Sequence, residues 1–224
     1  MVNQIEAIIY DMDGVLINTE PLHFRIWQEI FLKRGLEISY DKYKGCIGAT
    51  FEYLLDLIVK NYGRDFHSDM PIIRKDFAEI KTRIIKEEGF PRLEGVEDMI
   101  HRMRDAGYQL AVASSSPQIY IEGAMKYLGI AECFAVLNSG ENVANSKPAP
   151  DIFLDTAQKL GVLPQACMVV EDSTNGCYAA KNAKMICLAY QNPDSGEQDL
   201  SPASKIISHW SELTPEFMMQ MAYF

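Results

Sequence analysis

No stretch of this chain stays apolar for the roughly 20 residues that a helix needs to cross a bilayer, and it contains no internal repeat and no low-complexity tract. Basic residues are scarce as well: 21 Lys and Arg stand against 31 Asp and Glu, for a formal charge of −10. That balance works against a large phosphate-backbone footprint, so neither nucleic acid nor a membrane is expected as a partner. Cysteine is sparse too. Cys46, Cys133, Cys167, Cys177 and Cys187 are odd in number and form no CxxC pair, which points to reduced, mostly buried thiols in a cytoplasmic protein. Residues 1–10 have no basic region ahead of their short apolar run, and Asp11 and Asp13 interrupt it, so no signal peptide is expected.

What is present suits an ordinary folded protein. Hydrophobic residues make up 48% and charged residues 23%, enough to bury a core. At 224 residues the chain is long for a single lobe and comfortable for a core domain with a smaller insertion. A small anionic substrate remains compatible with the negative total, provided that local cations or a metal ion overcome it at one spot.

Residues 5–10 form a short isoleucine-rich run, as expected for a strand buried on both faces of a parallel sheet. Similar runs recur at 109–113, 133–137, 167–170 and 185–189. Helical patterns lie between them, several ending in glycine at Gly107, Gly129 and Gly161, where a left-handed cap is cheapest. The alternation predicts an α/β fold with a doubly wound parallel sheet. From about residue 20 to 89 the rhythm is helical only, at 22–34, 51–62 and 72–88, which predicts an all-helical insertion after the first strand. The polar segment 191–202 reads as an exposed connection.

Four motifs carry chemistry. Asp11-Met12-Asp13-Gly14-Val15 follows the first strand at the sheet edge where such folds bind ligands. Backbone alternation sends Asp11 and Asp13 the same way, so one can act as nucleophile and metal ligand and the other as general acid and base. Ser114-Ser115-Ser116-Pro117 follows the strand at 109–113; Ser116 is placed to cap the next helix, and Ser114 to donate to a phosphate oxygen. Lys147-Pro148-Ala149-Pro150 holds a lysine in a stiff loop, fit to neutralise a phosphoryl oxygen. Glu171-Asp172-Ser173 places two more acids at a strand end. With Asp11 and the backbone carbonyl of Asp13 they offer the all-oxygen ligand set that magnesium prefers. Each motif alone has a plain structural explanation, as an acidic turn, a serine cap, a solvated lysine or a helix-capping acid. Together they supply nucleophile, proton shuttle, phosphate clamp and metal cage at one edge of the sheet.

In this order the motifs resemble those of the haloacid dehalogenase superfamily of phosphatases and phosphomutases. Asp11 through Leu16, followed by Asn18-Thr19-Glu20-Pro21-Leu22-His23, is similar to the branch containing beta-phosphoglucomutase and sugar-phosphate phosphatases. The resemblance implies a catalytic core at 1–17 and 90–224 and a helical cap at 18–89. It implies that Asp11 forms an aspartyl phosphate and that Asp13 protonates the leaving group and later activates water. It implies that Ser114 and Lys147 hold the phosphoryl group, that Asp172 with Glu171 holds Mg2+, and that the Lys147-Pro148 bond is cis. Thr19 and His23 would meet the substrate, a small phosphorylated metabolite, along with Ser115. The cap arginine with which a beta-phosphoglucomutase grips a second phosphate has no counterpart at Gly48-Ala49-Thr50, and Lys81 or Arg83 is the alternative cation. A monomer or weak homo-oligomer is expected. A phosphatase is therefore the expected activity, ahead of a mutase, a 2-haloacid dehalogenase, a receiver-type signalling module or an interaction protein.

Overall fold

The computed structural model describes residues 4–47 and 50–221. Among them, strands β1 (Ala7–Tyr10), β2 (Gln109–Ser114), β3 (Val136–Ser139), β4 (Cys167–Glu171), β5 (Ile186–Tyr190) and β6 (Lys205–Ile207) form one sheet in the order β3-β2-β1-β4-β5-β6. Every pairing in it is parallel. The helices are α1 (Thr19–Leu32), α2 (Tyr40–Tyr43), α3 (Phe51–Tyr62), α4 (Met70–Glu88), α5 (Val96–Asp105), α6 (Gln118–Leu128), α7 (Asp151–Leu160), α8 (Thr174–Asn182) and α9 (Pro215–Met221). The expected doubly wound α/β sheet and helical insertion are thus both observed. None of the helices is long and apolar enough to cross a membrane.

β1 lies between β2 and β4, and the order of connection reverses there, which opens a crevice beyond the carboxyl ends of those strands. The four residues of β1 are fully buried, as are Val169 in β4 and Ala111 in β2. On one side Ile9 and Val169 pack with Phe153 of α7 and Cys177 of α8. Arg102 of α5 donates to the carbonyls of Leu213 (3.1 Å) and Trp210 (2.8 Å), which ties the C-terminal segment down beside the stacked Tyr190–Trp210 rings.

The chain falls into two compact units. One comprises the segment up to Asn18, Arg92–Asn192 and the segment from Gln198 onward; the other comprises Thr19–Pro91 and Pro193–Glu197. Part of the connection read as merely exposed therefore groups with the helical unit. That unit has an aromatic core of its own, in which Trp27 stacks on Phe31 and meets Phe51 and Phe77 edge-on or tilted. Arg25 of α1 grips Glu88 of α4 with both guanidinium nitrogens, at 2.8 and 2.7 Å.

Among the strands, β3 and β6 depart most from the sequence expectation. β3 starts three residues later than the apolar run at 133–137, because that run reports burial rather than extension: Cys133 is buried inside a single 3-10 turn, Ala131–Cys133. The strand continues instead into polar Asn138 and Ser139. Asn138 is fully buried yet satisfied, donating to Asp155 (2.8 Å) and Thr156 (2.9 Å) and accepting from Lys159 (2.7 Å) and Asn142 (3.1 Å). β6 has only three residues, two of them exposed, too few for a period to show.

Truncating Ile9 to Ala at the centre of the sheet is expected to lower unfolding free energy by about 2–5 kcal/mol, read by urea denaturation, because a closely packed site collapses only in part.

Candidate active site

The site grows from the end of β1. Asp11 extends the strand's hydrogen bonding through its N–H to Val170 O (2.9 Å), and the chain then doubles back, with the N–H groups of Leu16 and Ile17 donating to Met12 O at 2.8 and 3.0 Å. Gly14 makes this turn at φ +85°, a conformation that side-chained residues rarely adopt. A β-carbon there would stand 1.9 Å from Asp172 Oδ2, so the glycine is also the space in which that carboxylate sits.

Lys147 lies between the acids. Its Nζ donates to Asp11 Oδ1 (2.5 Å), Glu171 Oε1 (2.7 Å) and Ala113 O (3.3 Å), and it stands over the Phe153 ring at 4.9 Å. The lysine side chain is 8% exposed and that of Glu171 1%. The Lys147-Pro148 bond is cis. Glu171 is fixed from its other oxygen by the N–H groups of Asp172 (2.9 Å) and Ser173 (3.0 Å) and by the Ser173 hydroxyl (2.9 Å). Ser173, not an acid, caps α8, accepting from Gly176 N (3.0 Å). Gly176 faces the same carboxylate: a β-carbon on it would meet Glu171 at 1.8 Å.

Burial pushes the Asp11 carboxyl up to about 8, with Lys147 opposing and the charges of Glu171 and Asp13 adding to the rise. For Lys147, burial acts against the charge, yet Asp11 and Glu171 outweigh it and hold the ammonium above the ordinary lysine range. One ammonium thus stands among four neighbouring acids, an excess of negative charge that a further cation would relieve. Asp11, Glu171 and Asp172, all buried, each offer a carboxylate oxygen within 4.8 Å of the others. This all-oxygen set, together with the clearance that Gly14 gives Asp172, fits a hard divalent cation. The side chain of Asp13 is outside the group, and the expectation for that residue concerns its backbone carbonyl.

Asp13 is held from the next strand. Ser116 Oγ donates to its Oδ2 at 2.8 Å and Ser114 Oγ at 3.3 Å. This corrects the expectation that Ser116 caps α6. The helix begins two residues later, at Gln118, with Pro117 in the cap position, and the Gln118 N–H is taken by the Glu141 carboxylate at 3.0 Å. With Pro117 extended (ψ 146°) in the cap position, Ser116 lies outside the helix, and its hydroxyl bonds Asp13 instead.

The structure therefore gathers Asp11, Asp13, Ser114, Lys147, Glu171 and Asp172 in one unit, while Ser115 is exposed at the same strand end. Thr19 and His23 lie on α1 and Lys81 on α4, in the helical unit. Thr19 is fully buried, and His23 stands 3.7 Å from Glu20 and against Phe77. Arg83 is committed to Glu29 (2.5 Å) and Glu87 (3.2 Å). Gly48 and Ala49 lie outside the described residues, and Thr50 caps α3 through Tyr53 N (3.3 Å). Sequence reasoning misses Gly176, whose only sign is a glycine inside a helix, and Asn192, which donates to Gly14 O at 2.9 Å from an otherwise featureless loop.

A family model described as haloacid dehalogenase-like hydrolase matches residues 8–190. The chain belongs to that family. Among curated relatives, hexitol phosphatase B of Escherichia coli O157:H7 is 30% identical over 218 residues, covering 96% of this chain and 97% of its own. The phosphorylated carbohydrates phosphatase of Thermotoga maritima is 30% identical over 179 residues, covering 80% and 82%. Among solved structures, CbbY of Rhodobacter sphaeroides in complex with xylulose-1,5-bisphosphate superposes with a TM-score of 0.77 at 27% identity, covering 94% of this chain and 96% of that one.

Replacing a helical glycine with alanine ordinarily stabilises by up to about 1 kcal/mol. At Gly176 the sign is expected to invert, with Gly176→Ala costing about 1–3 kcal/mol in chemical denaturation, because the methyl displaces a buried, hydrogen-bonded carboxylate.

Proposed function

We propose that this haloacid dehalogenase-like protein is a magnesium-dependent phosphatase that hydrolyses a small phosphorylated metabolite, a sugar or polyol phosphate, through a phosphorylated Asp11. The observation that carries the proposal is the buried Lys147 bridging Asp11 and Glu171 beside Asp172, with Asp13 held next to them by two serine hydroxyls. The phosphatase activity named for both curated relatives supports the same reading.

In this mechanism a carboxylate oxygen of Asp11 attacks phosphorus as the ester P–O bond breaks, and Asp13 gives its proton to the departing alkoxide oxygen. Water then attacks the aspartyl phosphate, Asp13 takes its proton, and inorganic phosphate leaves with Asp11 regenerated. Lys147 and Ser114 neutralise and orient the phosphoryl oxygens, and Glu171 keeps Lys147 in place. Asp11, Asp172 with Glu171, and the carbonyl of Asp13 would hold Mg2+, which supplies charge neutralisation to the phosphoryl group when bound. Residues 18–89 serve as the cap that selects the substrate, with Thr19, His23 and Lys81, and Ser115 of the core, as contacts. A mutase needs a cation at each end of a bisphosphate; of the two alternative cations Arg83 already pairs with two surface carboxylates, which leaves Lys81 for that task. A 2-haloacid dehalogenase releases halide, which leaves without a proton and does not need Asp13 as the acid for an alkoxide.

The test is a panel of sugar and polyol phosphates assayed with Mg2+ and with EDTA. Turnover of at least one ester is expected, lost on chelation and restored by Mg2+. Asp11→Asn is expected to lower kcat at least about a thousandfold. A folded protein that hydrolyses no phosphate ester overturns the proposal.

A further inference from the structure

We infer that Ser116 is a positioning residue for the leaving-group proton: it acts through Asp13 and does not bind the phosphoryl group. The inference rests on the phosphatase reading above and adds to it a residue with a defined task.

Ser116 is the residue that a helix of this kind would ordinarily use as its cap, and here Pro117 occupies that position. The hydroxyl is thereby released from the helix and donates to Asp13 Oδ2 at 2.8 Å, the shorter of the two serine bonds to that oxygen. The loop that carries it is pinned from three sides. The Ser116 N–H donates to the buried Ser114 hydroxyl (3.1 Å), and the Ser116 carbonyl accepts from the buried Ser139 hydroxyl (2.7 Å). Ser139 in turn accepts from Glu141 N (3.1 Å), and Gly140 lies so close that a β-carbon there would stand 3.2 Å from the Ser115 backbone. A donor held this firmly on one oxygen of a carboxylate fixes its rotamer, and with it the place of the oxygen that carries the proton. In the first half-reaction that proton passes from Asp13 to the ester oxygen as the P–O bond to it breaks and the bond from Asp11 to phosphorus forms. Without Ser116 the nucleophile, Lys147 and the acid cluster are untouched, and in the first half-reaction, which kcat/KM reports, only delivery of the proton suffers.

The dependence on leaving group separates this task from phosphate binding. An alkoxide needs the proton, whereas p-nitrophenolate departs without one. Ser116→Ala is therefore expected to lower kcat/KM about tenfold or more for the preferred sugar or polyol phosphate, a fraction of what general acid catalysis supplies. For p-nitrophenyl phosphate it should stay within about twofold, and Ser116→Thr, which keeps the hydroxyl, should restore most of the loss on the alkyl ester. An equal fall on both esters would assign Ser116 to the phosphoryl group or to the fold, and no fall on either would leave it without a role; each result overturns the inference. Failure of the wild-type protein to hydrolyse either ester would instead strike at the phosphatase reading, so the two are told apart.

Discussion

Two buried carboxylates sharing one buried lysine is the constraint on which the rest of the site depends. Asp11 and Glu171 sit at the ends of adjacent parallel strands, so the sheet brings them together at the cost of mutual repulsion. Lys147 offsets that cost only because it arrives from a separate loop and fits between them at hydrogen-bond distance. The neighbouring details serve this pair. Ser173 and two backbone amides saturate the far oxygen of Glu171, and Gly176 and Gly14 stand where side chains would collide with the acids.

The local charge runs against the global one in an instructive way. A chain with a formal charge of −10 repels anions at long range, yet salt screens that field over about 10 Å, while a buried site keeps its own interactions at nearly full strength. Recognition of an anionic ester can therefore rest on Lys147 and on a cation drawn in by the acids. The surface ion pairs of the helical unit, such as Arg25 with Glu88, take little part in that field because each cation already has its counter-charge.

Much of this is legible in the sequence because the relevant signals are local. A short apolar run ending in Asp11 reveals both a buried strand and the acid at its tip, and the same logic finds Glu171 and Asp172. Burial without extension is where the reading fails: Cys133 belongs to the hydrophobic run but not to the strand, and Asn138 belongs to the strand although it is polar, since its partners Asp155, Thr156 and Lys159 come from a helix some 20 residues on. The Ser116 hydroxyl escapes for a related reason. Whether serine or proline takes the cap position is decided by one ψ angle, and the alternative partner, Asp13, is about a hundred residues away. Gly176 is invisible because a clearance is defined by what fills it, and Glu171 is five positions earlier on another element.

The four hydrogen bonds of Asn138 bear on how this enzyme can be rebuilt. Three of them fasten β3 to α7 and the fourth, from Asn142, ties in the turn after the strand; Lys147 lies on the connection between β3 and α7. Strand, loop and helix thus form a self-tied cassette whose polar knot keeps the lysine in register with the sheet. Grafting the loop alone into a foreign scaffold would deliver the ammonium group without its anchorage, whereas residues 136–160 exchanged as a block would bring both.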